Sequence, residues 1–466
     1  MAEPMSGSNI KALAIAATFA LAGMPALPHA AAAQTPSPTA TLAAAFNASG
    51  VELLRQFSAS PGNIVFSPYS IGSAMSMVLS GARGDTEREM LGALKQRLGR
   101  EEIAPANSIL LANLNKYDRS AVPPTCPPGM QLRDGRCWIN PLASAACPPS
   151  THREGEQCVG GATFPASAKL LVANALMLRR PGLVAGDYAS LLKEKYAAEL
   201  FENAGLADIN AWVSRKTEGK ITRILDVAPD VAVINAIYFK SRWALPFEKS
   251  ATRDEPFHLS STQDVNVPMM HRTANYALVE RQGYRAIFMP YDVGAVGLVI
   301  MLPNALDGLA DVTGRFDENE QAQLIAALRG VMTQKPLVQL TLPRFKTEYE
   351  ASLVAPLQNA GMKLAFDRAR ADFSGITGRP ATGSDRLYID TIQHRALLEA
   401  NEETTEAAAV TVVGVMVTAA PHPQPPPKPE IFRVDHPFLF QIIDQATGAV
   451  LFTGRISRPQ QEEPAR

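Results

Sequence analysis

Apolar residues first fall into a helical rhythm at Ser67-Pro68. Ile71, Ala74, Met75, Val78 and Leu79 then share one face, and a proline at the first turn suits a helix start. Gly81 and Gly84 are expected to end that helix. Ile109 to Asn115 closes another helical pattern. Elsewhere the apolar positions run on without polar alternation. Val231 to Phe239, Ala295 to Leu302, Leu337 to Phe345 and Ala449 to Ile456 read as strands, several apolar enough to be buried on both faces. Ala168 to Met177 begins a further strand-like run, and strands and hairpins close the chain. Helix and strand signals are mixed rather than regularly alternating. The expected class is therefore α+β, with helices packed on large mixed or antiparallel sheets.

One stretch fits neither period. Glu402-Glu403-Thr404-Thr405-Glu406 is charged and helix-compatible, Ala407-Ala408-Ala409 follows, and Val410-Thr411-Val412-Val413 is β-branched. A proline tract, Pro421 to Pro429, separates it from the next ordered segment. Small residues followed by Val and Thr suit a strand that slides between two others, because short side chains meet little steric resistance. A strand-former left unpaired invites aggregation unless it has a use. The use that fits is bait: a protease cuts the loop, the loop inserts, and strain is released.

Length and composition set the frame. The chain has 466 residues, enough for one large domain or two medium ones. Hydrophobic residues make up 46% and charged residues 19%, and the formal net charge is -1. That balance is ordinary for a globular protein and points to neither nucleic acid nor an anionic membrane. Residues 1–33 read as a signal peptide: Lys11, an apolar stretch from Ala12 to Leu27, then Ala30-Ala31-Ala32-Ala33-Gln34. Pro25 and Pro28 break the run before it could span a bilayer. The mature chain, 34–466, is expected to be secreted or periplasmic, and the alanine-rich leader suggests a bacterial source.

All four cysteines lie in a Pro/Gly-rich insert, residues 122–165, and form an internal repeat. Cys126-Pro127-Pro128-Gly129 leads to Cys137, and Cys147-Pro148-Pro149-Ser150 leads to Cys158. Four cysteines allow three pairings; the repeat favours the local bridges Cys126–Cys137 and Cys147–Cys158. Export makes such chemistry available. A zinc site is the alternative, but it would lack the usual C-x2-C pair. With few large apolar groups, the insert is expected to build no core of its own and to decorate the larger domain.

The chain resembles the serpin family over residues 41 to 458, interrupted only by the insert. The resemblance rests on Asn63-Ile64-Val65-Phe66-Ser67-Pro68-Tyr69-Ser70 with Gly81-Ala82-Arg83-Gly84-Asp85-Thr86, on Asn210-Ala211-Trp212-Val213 with Thr217-Glu218-Gly219-Lys220-Ile221, and on Asn235-Ala236-Ile237-Tyr238-Phe239-Lys240 with Trp243. Leu342-Pro343-Arg344-Phe345, Ala371-Asp372-Phe373-Ser374-Gly375-Ile376 and Asp435-His436-Pro437-Phe438-Leu439-Phe440 extend it in order.

That resemblance implies a serpin fold with an exposed reactive loop, here 402–430. It also implies an irreversible, suicide-type inhibitor of serine proteases, and an insertion of the cleaved loop as a new strand. Glu402, Glu403, Thr404, Thr405, Glu406, Ala407, Ala408 and Ala409 match the hinge, although a glycine is usual where Thr404 stands. Family spacing places the scissile bond at Thr418–Ala419, with Met416, Val417 and Ala420 in neighbouring subsites. Small and aliphatic residues suit elastase-like or subtilisin-like pockets. The proline tract would hold the far side of the bond extended, or serve as a plain linker. Ser67, Ser70, Asn235 and His394 match a polar cluster where the central strands part. Trp243, Arg344 and Glu402 match the place where the loop first enters, with an Arg344–Glu402 ion pair holding it closed. Static core packing is the alternative for each of these residues.

The implied partner is a target serine protease in a covalent acyl complex, with cysteine proteases as a second class. The chain is expected to act as a monomer without cofactor, metal, nucleic acid or membrane. Arg83-Gly84-Asp85 spells an integrin-type tripeptide but sits inside the family's turn. His258, His271 and His394 form no H-E-x-x-H motif, and G-x-S-x-G is missing, so the chain is not read as an enzyme. The competing reading is a non-inhibitory serpin that binds or carries a ligand through its Cys-rich insert.

Overall fold

The structure is a computed structural model that describes residues 36–459 apart from 120–124, 127–129, 134–135, 140–146, 148–150, 155–156, 162–167, 384–385 and 403–427. Its helices are α1 (Pro38–Phe57), α2 (Pro68–Leu79), α3 (Gly84–Ala93), α4 (Arg100–Asn115), α5 (Gly186–Tyr196), α6 (Leu206–Lys216), α7 (Leu309–Arg315), α8 (Glu318–Gly330), α9 (Val354–Asn359) and α10 (Ser374–Thr377). Helix α2 starts where the sequence predicts, with Ser67 accepting from the Ser70 N–H and Pro68 in the first turn. It stops at Leu79, and Gly84 does not end it. Gly84 opens α3 instead, with φ at +56°, a backbone region that favours glycine. Arg83 folds inward onto the carbonyls of Ser80 and Ala82, so the tripeptide it begins is part of the turn.

Three sheets build the body. One is β1 (Ile64–Phe66), β11 (Ala277–Arg281), β12 (Tyr284–Pro290), β13 (Val296–Pro303), β18 (Phe438–Asp444) and β19 (Val450–Ile456), in the order β1-β19-β18-β13-β12-β11. β13, β18 and β19 are buried along their whole length, which is why their sequences lack alternation. The second contains β9 (Arg253–Ser260), β10 (Gln263–Asn275), β14 (Leu337–Pro343) and β17 (Glu430–Arg433), in the order β17-β14-β10-β9. The third contains β6 (Ala168–Leu178), β7 (Glu199–Glu202), β8 (Val231–Ser241), β15 (Phe345–Ser352) and β16 (Thr391–Ala400), in the order β15-β16-β8-β6-β7.

In the third sheet α6 covers one face through Ile209, Trp212 and Val213, which pack with Ala173, Ala175 and Ile234. The main core, with the wholly buried α2, covers the other. The apolar run from Leu337 to Phe345 is not one strand. It divides at Arg344, with β14 in the second sheet and β15 in the third.

The insert departs from expectation. β2 (Gln131–Arg133), β3 (Arg136–Ile139), β4 (Thr151–Glu154) and β5 (Gln157–Gly161) form an antiparallel sheet in the order β2-β3-β5-β4. Cys126–Cys137 and Cys147–Cys158 are both bridged, and Cys137, Cys158 and Val159 are fully buried. The sulfurs supply the interior that large apolar side chains would otherwise give. The neck of the insert is closed where the Ala168 N–H donates to the Tyr117 carbonyl at 3.0 Å.

Candidate functional site

β8 and β16 are parallel neighbours in the middle of the third sheet, paired from Thr391↔Ala232 to Leu397↔Tyr238. Beyond that rung they stop pairing with each other, yet both continue. β16 goes on through Leu398, Glu399 and Ala400 against β15, and β8 through Phe239, Lys240 and Ser241 against β6. The result is a fork. A small recess lies in it, lined by Phe239, Lys240, Tyr291, Glu399 and Asn401. Glu402, the last described residue before the long loop, emerges there.

Below the fork a polar row crosses three strands. Asn174 of β6 pairs with Asn235 of β8, and Asn235 with His394 of β16. The Asn235 amide nitrogen donates to Asn174 Oδ1 at 2.5 Å and to Ser70 Oγ at 2.6 Å. His394 Nδ1 hydrogen-bonds Asn235 Oδ1, and the Ser67 backbone N–H donates to His394 Nε2 at 3.3 Å. An Nε2 that accepts leaves the proton on Nδ1, so the imidazole is neutral. Complete burial pushes its pKa down to about 3. Ser67, Ser70, Asn235 and His394 thus meet as the sequence predicts, and their bonds join α2 to both strands bordering the fork.

At the top, Glu402 is 2% exposed and held by three residues. Arg344 Nε reaches both carboxylate oxygens, at 2.7 and 2.9 Å, and Thr252 Oγ1 donates at 2.5 Å. The Phe247 N–H donates to the Glu402 carbonyl, and Trp243 Nε1 donates to the Asn401 carbonyl at 2.8 Å. Burial alone would raise the Glu402 carboxyl, but donation from Arg344 and Thr252 outweighs it and holds the group below its usual range. Trp243 stacks on Tyr291 with ring centres 4.7 Å apart. The break at Arg344 is what aims this guanidinium, since its own N–H is tied to the Pro268 carbonyl.

Comparison with known proteins bears on this arrangement. The profile of the serpin (serine protease inhibitor) family matches residues 44–459. The chain belongs to the serpin family. An uncharacterized serpin-like protein of Thermococcus kodakarensis is 30% identical, covering 89% of this chain and 85% of its own. The leukocyte elastase inhibitor of Equus caballus is 30% identical, covering 88% and 97%. Among solved structures, human thyroxine-binding globulin superposes with a TM-score of 0.70 at 24% identity, covering 91% of this chain and 100% of that one. The α+β serpin fold is therefore established, and members of the family generally act as protease inhibitors. The source expected from the leader, a bacterium, gains no support from archaeal and animal relatives.

In this serpin the hinge residues Glu403, Thr404, Thr405, Glu406, Ala407, Ala408 and Ala409 lie outside the described residues. So do Met416, Val417, Thr418, Ala419 and Ala420, and the expected signal peptide. Two partners were missed from sequence. Asn174 carries a readable signal, an asparagine inside the apolar run Leu170–Leu178 that mirrors Asn235 in β8. Thr252 carries none, because nothing local distinguishes it from a surface threonine.

Proposed function

We propose that this serpin is an exported, irreversible inhibitor of serine proteases with elastase-like or subtilisin-like pockets. The fork carries the reading. A segment folding back from Glu402 runs antiparallel to β16, and because β8 is parallel to β16 it is antiparallel to β8 as well. Its insertion replaces one short parallel pairing with two antiparallel ladders, which are the more stable kind. The Asn235–His394 bond crosses the path and the Trp243–Asn401 bond joins the tops of its two strands, so both must yield first, while the Arg344–Glu402 pair fixes the end of β16 from its other side.

In the trapping step the protease serine Oγ attacks the Thr418 carbonyl. Its proton passes through the protease histidine to the Ala419 nitrogen, which leaves as a free amine. The ester left on Thr418 is carried away with the inserting loop before water reaches it. Met416, Val417 and Thr418 offer small and aliphatic groups to the pocket, with no Lys or Arg between Glu402 and Pro427 for a trypsin-type site. The name of the horse relative, an elastase inhibitor, agrees with this choice.

The test is an SDS gel of the chain with elastase, subtilisin, chymotrypsin and trypsin. An SDS-stable band at the summed mass with the first two, and a released peptide beginning at Ala419, are expected. Clean cleavage without a complex would favour the second reading, a non-inhibitory binding protein using the Cys-rich insert. Thr404, where a glycine is usual, is the observation behind that alternative.

A further inference from the structure

Away from the fork lies a cavity of about 550 Å³, within the range of sites that enclose small organic ligands. It shares no lining residue with the polar row or the Glu402 clasp. One wall is apolar: Leu259, Leu306, Leu309, Ala310 and Pro437. Leu306 is 39% exposed, a large side chain left open at the mouth.

The opposite wall is cationic. Arg455 is 9% exposed and reaches it from β19. Its guanidinium donates only to backbone carbonyls, those of Ser58, Ser60 and Gly62, and among the described residues it has no carboxylate partner. Arg55, in the last turn of α1, is exposed at the same wall, again with no ion-pair partner among the described residues. The Ser58 hydroxyl is enclosed there without a hydrogen-bond partner. The cavity also has an acidic residue, Asp307, whose carboxylate accepts from the Ser261 N–H and pairs with neither arginine.

A buried cation without a counter-charge and an enclosed hydroxyl without a partner both carry an unmet cost, which an anion can relieve. We propose that this cavity binds an amphipathic monoanion: a carboxylate facing Arg55, Arg455 and the Ser58 hydroxyl, on an apolar body lying against Leu306, Leu309 and Ala310. Guanidinium groups match carboxylates in shape and charge, and the leucine wall favours an alkyl or aryl body over a free inorganic anion. The inference does not depend on the inhibitor reading.

The probe is decanoate, titrated calorimetrically into the full chain below its micelle-forming range, with decyltrimethylammonium as the charge-reversed control. One decanoate per chain is expected, with a thermal midpoint that climbs with its concentration and no response to the cation. Ala310→Trp, at an exposed position of α7, should fill the cavity and abolish the heat while leaving the circular dichroism unchanged. Arg55→Glu, also at an exposed position, should weaken binding by about tenfold or more. The proposal is overturned if decanoate does not bind, if both variants bind it as the parent does, or if the cation binds equally well. Protease trapping should be the same in both variants, so failure here and failure of the inhibitor reading are separate results.

Discussion

At His394 the hydrogen bonds set the tautomer, and the tautomer sets how stability depends on pH. Nε2 accepts from Ser67 and Nδ1 donates to Asn235, so a second proton has no place to go without breaking the row. The folded pKa is depressed to about 3, below the unfolded value near 6.5. The neutral form's contribution is therefore fully present above pH 6.5 and is lost as pH falls from there toward 3. Between pH 7.5 and 5 this one group should remove about 2 kcal/mol. Urea midpoints at pH 7.5 and 5 should show the loss in the parent, and a clearly smaller one in His394→Gln; equal losses would place the titration elsewhere. A second residue pair gives an asymmetry. Glu402 is buried, whereas the Arg344 side chain is 41% exposed. Arg344→Ala strands a buried carboxylate, while Glu402→Ala returns an arginine to water. The first should cost about 2 kcal/mol, discounted for the exposed partner, and the second about 1 kcal/mol or less. The reverse order in thermal melts would mean the clasp is held by Thr252 and the backbone instead.

Elements show where sequence pattern stops being informative. Strands buried over nearly their whole length, such as β8, β13 and β19, were legible because burial on both faces leaves an apolar run that few other structures tolerate. The same rule ran one residue too far at Leu337–Phe345, since Phe345, the buried first residue of the alternating strand β15, follows the apolar end of β14 and only the three-dimensional path turns at Arg344. The insert was read correctly in its bridges but not in its sheet. Its repeat is also a structural one: Trp138 and Val159 hold the same place in the two units, directly after Cys137 and Cys158, and they pair with each other. Cys137↔Gly160 and Ile139↔Cys158 flank that pair with a local two-fold relation. A hairpin pair this small has little apolar area, so the bridges should dominate its stability. Replacing Cys126 and Cys137 by serine should cost the insert about 3 kcal/mol. Trypsin should then cut at Arg133 or Arg136 much faster, while the main thermal transition stays put because the Tyr117–Ala168 neck is unaltered. A lowered main transition would show that the insert braces β6.

For the whole molecule, the unusual loop and the unusual sheet explain each other. The hinge reading rests on short residues before a β-branched run, followed by prolines, a pattern that suits few other roles, and it lies outside the described residues. The fork was not legible, because a parallel pair that ends early leaves no mark in either strand's sequence: Leu398 and Phe239 look like their paired neighbours. Together they predict a native chain that is less stable than its own cleaved form. Nicking at Thr418–Ala419 should free the loop to enter between β8 and β16. The melting temperature should then rise by roughly 10 °C or more, which in so large a domain requires several kcal/mol. Thr405→Arg places a charge where the loop must first pass the buried end of β16, so it should leave cleavage intact and reduce the SDS-stable complex. Thr404→Gly removes a β-branched side chain at the bend and should raise the trapped fraction. If cleaved and intact chains melt together, no strand has entered the fork, and the ligand-binding reading becomes the better account of this serpin.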